Sequence, residues 1–262
     1  MPVPLRSDKY REPSLFSPGR FLEYMDETGF KGTGENAAPP EAVILSYQPA
    51  LFAYVTRNHP VRFHPGMFRK KLAYLEETGG RVAIMGGFGF GAPAAVATFE
   101  ELMALGARSF VSMGTAGALV PGLRPGDLVL CDGAFRDEGT SYHYMPDGGP
   151  ALPDEALTEA LAEAIGEAGI GFRRGRSWTT DAPYRETRAE IDAFAAEGAL
   201  VVEMEASALF TVARYRGVAL ASAFTVSDSL AEPEWKPDFL SKPTNAGLET
   251  LYRAALTALA AG

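Results

Sequence analysis

Arg81-Val-Ala-Ile-Met85, Gly86-Gly-Phe-Gly-Phe-Gly91 and Ala92-Pro-Ala-Ala-Val-Ala-Thr-Phe-Glu-Glu-Leu102 follow one another without a break, and their reading decides the fold. The first segment is an apolar run of strand length, and the second holds the glycines that a sharp turn needs. The third predicts a helix over Pro93–Leu105. The same alternation extends in both directions. Upstream, Ala42–Ser46 reads as a buried strand and Pro49–Val55 as the start of a helix. Downstream, Ser109–Met113 and Asp127–Cys131 read as strands, the second entered through the turn Pro121–Gly126. Leu157, Leu161 and Ile165 mark one face of a helix that begins near Asp154 and stops around Gly169. Residues 171–178 and 199–203 read as strands, Glu205–Tyr215 as a helix and Val218–Val226 as a strand. Leu248, Leu251, Leu256 and Leu259 give the last helix its apolar face. Apolar strands alternating with helices predict an α/β protein with a largely parallel sheet covered on both sides. Residues 41–262 form one domain in this reading. Residues 1–40, rich in Pro, Gly and charge, form an N-terminal arm with one helix near Pro18–Glu27, placed to pack on a partner subunit.

Composition narrows the function. The 262 residues are 47% hydrophobic and 22% charged, which suits a globular enzyme and excludes wholesale disorder. With 24 basic against 33 acidic side chains the net charge is −9, the wrong sign for a nucleic-acid partner, whose phosphates need clustered Lys and Arg. One cysteine, Cys131, makes no internal disulfide and reads as inert packing. His59, His64 and His143 stand at unrelated spacings, so no metal centre is expected. Met1–Phe16 lacks the apolar core of a secretory leader. The most apolar stretch, Gly217–Val226, is far too short to cross a bilayer. A cytoplasmic protein with no membrane partner is the expectation.

The glycine turn invites a dinucleotide reading, because Gly87, Gly89 and Ala92 satisfy the relaxed fingerprint. That fold also needs an acid at the end of the next strand to hold ribose. Here the next strand ends Ser112-Met-Gly-Thr115, with no acid before Asp127. What survives is a helix N-terminus that offers N–H groups to an anion or polar ligand, beside a second small-residue turn, Gly114–Gly117. Two acidic stretches also fall at strand ends, Leu200-Val-Val-Glu203-Met-Glu205-Ala206 and Val226-Ser-Asp228-Ser229. Each reads as a helix cap or turn, or as a carboxylate able to grip sugar hydroxyls (Glu205) or move a proton to a leaving group (Asp228).

Together these motifs resemble the nucleoside phosphorylase/uridine phosphorylase superfamily, which also contains nucleosidases. The glycine segment Gly87–Leu102 follows the family's signature in spacing and departs from it at Phe90, Ala94, Val96 and Ala97. Gly114-Thr-Ala-Gly117, Gly126-Asp-Leu-Val129, Arg136-Asp-Glu-Gly-Thr-Ser-Tyr-His-Tyr144, Val202-Glu-Met-Glu-Ala-Ser-Ala208 and Val226-Ser-Asp228 come after it in family order. The resemblance implies a single-domain three-layer fold, a central mixed β-sheet wrapped by helices. It also implies a homo-oligomer, a dimer or a trimer or hexamer of dimers, with sites that borrow residues from a neighbouring subunit. The implied chemistry is cleavage of an N-glycosidic bond, with no cofactor and with inorganic phosphate as co-substrate. Glu205, with Met204, Glu203 and Thr115, would hold the ribose, and Asp228 would assist departure of the base. Gly89, Thr115, Ser112 and Ser46 would form the phosphate or water site. Gly117, Thr180, Asp181, Pro183 and Tyr184 would wall the base pocket.

One departure bears on the nucleophile. Family phosphorylases hold phosphate with arginines, and the corresponding positions here read Ser46-Tyr-Gln-Pro-Ala-Leu51, Ser112 and Arg62-Phe-His-Pro-Gly66. Each guanidinium removed takes away charge-assisted bonds of roughly 1.5–3 kcal/mol. Phosphorolysis of a uridine- or purine-type nucleoside is the leading expectation, hydrolysis by water the alternative, and a non-catalytic nucleoside-binding relative the third. Asp228 favours a purine. His143 reads as a structural histidine, Arg185 and Glu186 as a loop ion pair or a substrate contact, and Trp235 as surface packing or a cover over the site.

Overall fold

The computed structural model of the protein describes Pro4 and residues 6–29, 38–146, 148–232 and 234–261. The chain enters through helix α1 (Pro18–Glu27), whose N-cap Ser17 accepts from Arg20 N–H. Strand β1 (Ala42–Ser46) and helix α2 (Pro49–Asn58) follow, then β2 (Val61–Phe63), β3 (Leu72–Leu75) and β4 (Val82–Met85). The glycine turn leads into α3 (Ala92–Leu105), then β5 (Ser109–Ala118), β6 (Leu128–Asp137), α4 (Glu155–Glu167) and β7 (Phe172–Thr180). The second half holds α5 (Arg188–Ala196), β8 (Ala199–Glu203), α6 (Ala206–Arg216), β9 (Ala219–Ser229), the short β10 (Lys236–Pro237) and α7 (Lys242–Ala260).

These strands join one sheet in the order β10-β9-β6-β7-β8-β5-β1-β4-β3-β2, and β5 also pairs with β9, closing β9-β6-β7-β8-β5 into a ring. The sheet is mixed rather than largely parallel. β1 runs parallel to β4 and β5, but β2–β3, β3–β4, β5–β8, β6–β9 and β9–β10 are antiparallel. Alternating apolar strands and helices leave strand direction open, so this part of the expectation is corrected. The resemblance to a mixed three-layer fold holds. β1 is buried along its length, and its alternate residues feed opposite faces. Val43 packs with Phe99, Phe110 and Phe210 under α3 and α6, while Ile44 packs with Ile84, Val111 and Tyr252 under α7.

Strands β5 and β6 run on well past Met113 and Cys131, where the sequence reading ended them, the first at a small-residue turn over Gly114–Gly117. The small residues that carried that suggestion serve close packing instead. A Cβ on Gly114 would sit 3.0 Å from the Tyr47 ring, and one on Gly117 would sit 3.2 Å from Asp228 Oδ2. The hairpin β2–β3 and helix α5 were not expected. α5 nevertheless begins on a capping box in which Thr187 and Glu190 serve each other's backbone N–H groups. The arm contacts its own chain: α1 lies against α3 with Leu22 buried, Tyr10 O–H donates to Tyr142 O, and Lys9 Nζ lies 2.9 Å from His143 Nδ1.

Candidate active site

A cleft of about 890 Å³ opens where the ends of β1, β4, β5, β7, β8 and β9 converge, within the usual range for a small-molecule site. Tyr47 and Gln48 reach it from the loop after β1, and Gly87, Gly89 and Phe90 from the glycine turn. Thr115 and Gly117 reach it from β5, Glu203, Met204 and Glu205 from the β8–α6 corner, and Asp228 from β9. Glu205, Met204, Glu203, Thr115, Asp228, Gly89, Gly117, Pro183 and Tyr184 all line this one space.

Four expected residues do not. Ser46 and Ser112 are buried in β1 and β5. Because β5 continues to Ala118, Ser112 lies inside the sheet rather than at its mouth, and its Oγ is 3.0 Å from the Tyr47 hydroxyl. Thr180 and Asp181 follow Thr179, whose hydroxyl bonds Glu203, and the strand's two-residue period turns Thr180 the other way. Thr180 Oγ1 accepts from Ala182 N–H, and Asp181 Oδ2 accepts from Gly139 N–H, so both secure the turn after β7.

Two glutamates set the electrostatics. Glu203 Oε1 accepts from the Thr179 and Ser177 hydroxyls, and its Oε2 accepts from Glu205 and Ala206 N–H at 2.7 Å each. Its carboxylate thus caps α6, whose N-cap Glu205 makes no side-chain cap. Burial raises Glu203 above the ordinary carboxylate range, against the pull of those four donors. Glu205 is pushed up to about 8, first by burial and then by the charge of Glu203, against the N–H of Gly91. That N–H reaches Glu205 Oε1 because Gly91 takes a φ of +88°, a conformation natural to glycine.

At the opposite end, Asp228 is aimed by a bulge. Thr115 and Ala116 pair with Thr225 and Val226, but Gly117 pairs with Asp228, so Ser227 is the extra residue. Ser227 Oγ donates to Asp228 Oδ1 at 2.7 Å, and Trp235 Nε1–H donates to Oδ2 at 2.8 Å. Glu186 enters from the turn after β7 and is pushed up to about 7 by burial, then by the charge of Asp228, then by that of Glu190. Thr115 Oγ1 accepts from Gln48 Nε2 at 2.9 Å. Among the described residues that line the cleft, none is Lys or Arg.

Sequence reasoning left Tyr47, Gln48, Phe90, Leu230 and Phe239 out of the site and placed Glu186 and Trp235 only between alternatives. Both of the latter line the cleft. Position was the available signal for Trp235, seven residues after Asp228. Cys131 is buried, with its thiol pushed up to about 12 by burial, in keeping with inert packing.

The phosphorylase superfamily's sequence profile matches residues 37–260. A guanosine phosphorylase of Halorubrum lacusprofundi is 34% identical over 178 residues, covering 66% of this chain and 73% of that protein. A uridine phosphorylase of Thermococcus kodakarensis is 34% identical over 143 residues, covering 50% of this chain and only 52% of that protein. In fold, the chain is similar to purine nucleoside phosphorylase from Toxoplasma gondii, with a TM-score of 0.73 over 86% of this chain and 92% of that one, at 22% identity. With the sequence match spanning nearly the whole α/β domain, the chain belongs to the phosphorylase superfamily.

Proposed function

We propose that the protein cleaves the N-glycosidic bond of a purine-type nucleoside with inorganic phosphate, giving free base and pentose 1-phosphate. The observation that carries this reading is that Glu205, Thr115 and Asp228 line one cleft, although more than a hundred residues separate the first of them from the last in sequence. Ribose O2′–H and O3′–H donate to the ionised Glu205 carboxylate, with the Met204 side chain against the sugar. A phosphate oxygen enters beside Thr115, Gln48 and the Gly87–Gly89 turn and bonds to C1′ as the C1′–N bond breaks. The electron pair passes to the base, and the Asp228 carboxyl gives its proton to the ring nitrogen that receives the pair and is left as a carboxylate. Asp228 and Glu186 make the base end rich in acceptors. That favours a purine edge with N–H donors over uracil, whose two carbonyl oxygens would face carboxylates.

Hydrolysis is the second reading, favoured by the absence of Lys and Arg from the described lining. Base release from a panel of nucleosides, measured with and without phosphate, tests both. Release of purines only with phosphate is the expected result, and phosphate-independent release transfers the assignment to a nucleosidase. Binding without release would leave a non-catalytic relative.

A further inference from the structure

Trp235 lines the cleft and has no part in the chemistry described above. Its indole N–H donates to Asp228 Oδ2, the oxygen closest to the side-chain-free face of Gly117. β10 holds it there, because Lys236 and Pro237, the residues that follow it, pair with Ser229 and Asp228. The protein's other tryptophan makes the same kind of bond for another purpose. Trp178 donates to Asp137 Oδ2 at 3.0 Å, is 1% exposed and stacks on Phe194 with ring centroids 4.6 Å apart. Trp235 is 58% exposed and tilts against Phe239 at 6.2 Å, so core packing does not account for its place.

We infer that Trp235 is a positioning residue for the reaction, fixing the Asp228 carboxyl in the orientation that meets the base. The inference rests on the reading of Asp228 as the group that assists the leaving base. A carboxylate oxygen accepts two hydrogen bonds. With the indole on one lone pair of Oδ2 and Ser227 on Oδ1, the second lone pair of Oδ2 is left to carry the proton that passes to a ring nitrogen. Acidic groups are its other neighbours: Glu186 faces it from the turn after β7 with Glu190 behind on α5, and Glu203 and Glu205 share the cleft from the β8–α6 corner, while β10 brings the exposed Lys236.

Trp235→Phe keeps the ring and removes the N–H. With a purine nucleoside, kcat at the variant's own pH optimum falls about tenfold and KM changes less than about threefold, the loss of one hydrogen bond to a charged group. In an Asp228→Asn background the same substitution has no further effect on kcat. An unchanged kcat, or a change confined to KM, overturns the inference. A second readout needs no turnover. The fluorescence of Trp235, read as the difference between wild type and Trp235→Phe, changes when Asp228→Ala removes the acceptor of its N–H, and the absence of that change also overturns the role. That change in a protein that releases no base would instead count against the proposed function alone. Thermal unfolding of each variant separates these losses from misfolding.

Discussion

Glu203 and Glu205 stand two residues apart, yet the fold gives their carboxyls different work. Four donors surround Glu203, which makes it the natural holder of the negative charge in the pair. Glu205 has the Gly91 N–H and the open cleft, and it is pushed up to about 8. From the ordinary carboxylate range up to about 8, the folded protein therefore binds a proton that the unfolded chain has released. Stability is whole below that window and falls as pH rises through it. Glu205→Gln removes this titration. It should raise the melting temperature at pH 9 and leave it nearly unchanged at pH 4, a gain of roughly 1–3 kcal/mol at the alkaline end. Turnover by the same variant should drop roughly 100- to 1,000-fold, on the scale of losing one transition-state contact. In the wild type, kcat/KM should rise with pH toward about 8 as Glu205 ionises to receive the sugar hydroxyls. A variant melting curve that tracks wild type at both pH values would show that Glu205 carries no such burden. The motif made Glu205 legible from the sequence. The hydroxyls of Ser177 and Thr179, which secure its neighbour, come from a different strand and carry no local signal.

Two glycines inside helices show how the elements are held and how far a sequence reveals it. Gly247 in α7 lies against β9, where a Cβ would come within 2.2 Å of Thr225 Oγ1 and 3.1 Å of Gly126 O. Gly166, near the end of α4, has no atom within 4 Å of the same position. Propensity alone favours alanine at both sites by about 1 kcal/mol. Contact reverses the sign at the first: Gly247→Ala should destabilise by about 1–3 kcal/mol through overpacking, while Gly166→Ala should stabilise by about 0.5–1 kcal/mol. Chemical denaturation of the two variants checks the contrast, and equal effects would refute the close approach of α7 to the sheet. Gly114 and Gly117 follow the same logic. Their sequence reads as a turn, yet they lie within β5 and make room for Tyr47 and Asp228. α1 and α7, each entered through a Ser N-cap and an early Pro, were legible, whereas α5 was missed despite its capping box. Strand direction, the hairpin β2–β3 and the Ser227 bulge were not, because each depends on which distant strand lies alongside.

Across the whole molecule the charge balance is −9, and the cleft gathers Glu186, Glu203, Glu205 and Asp228 in a space that holds no described Lys or Arg. With Glu186 pushed up to about 7 and Glu205 to about 8, the negative field grows as pH rises through those values. Under the proposed phosphorolysis, phosphate, itself an anion, would enter against that field when the single chain alone supplies the site, met by neutral donors such as Gln48 Nε2, Thr115 Oγ1 and backbone N–H groups. Salt shortens the reach of such repulsion, with a Debye length of roughly 10 Å at 0.1 M and roughly 30 Å at 0.01 M. Above about pH 8, where Glu186 and Glu205 are ionised, the KM for phosphate should therefore fall severalfold as sodium chloride rises from low to moderate concentration, while the KM for an uncharged nucleoside stays nearly constant. A site completed by a cationic side chain of a second subunit predicts the opposite slope, because salt then screens an attraction. A protein that uses water has no phosphate dependence for salt to alter. The sign of one slope, measured alongside the oligomeric state, thus distinguishes a self-sufficient anionic cleft from one that a neighbour completes.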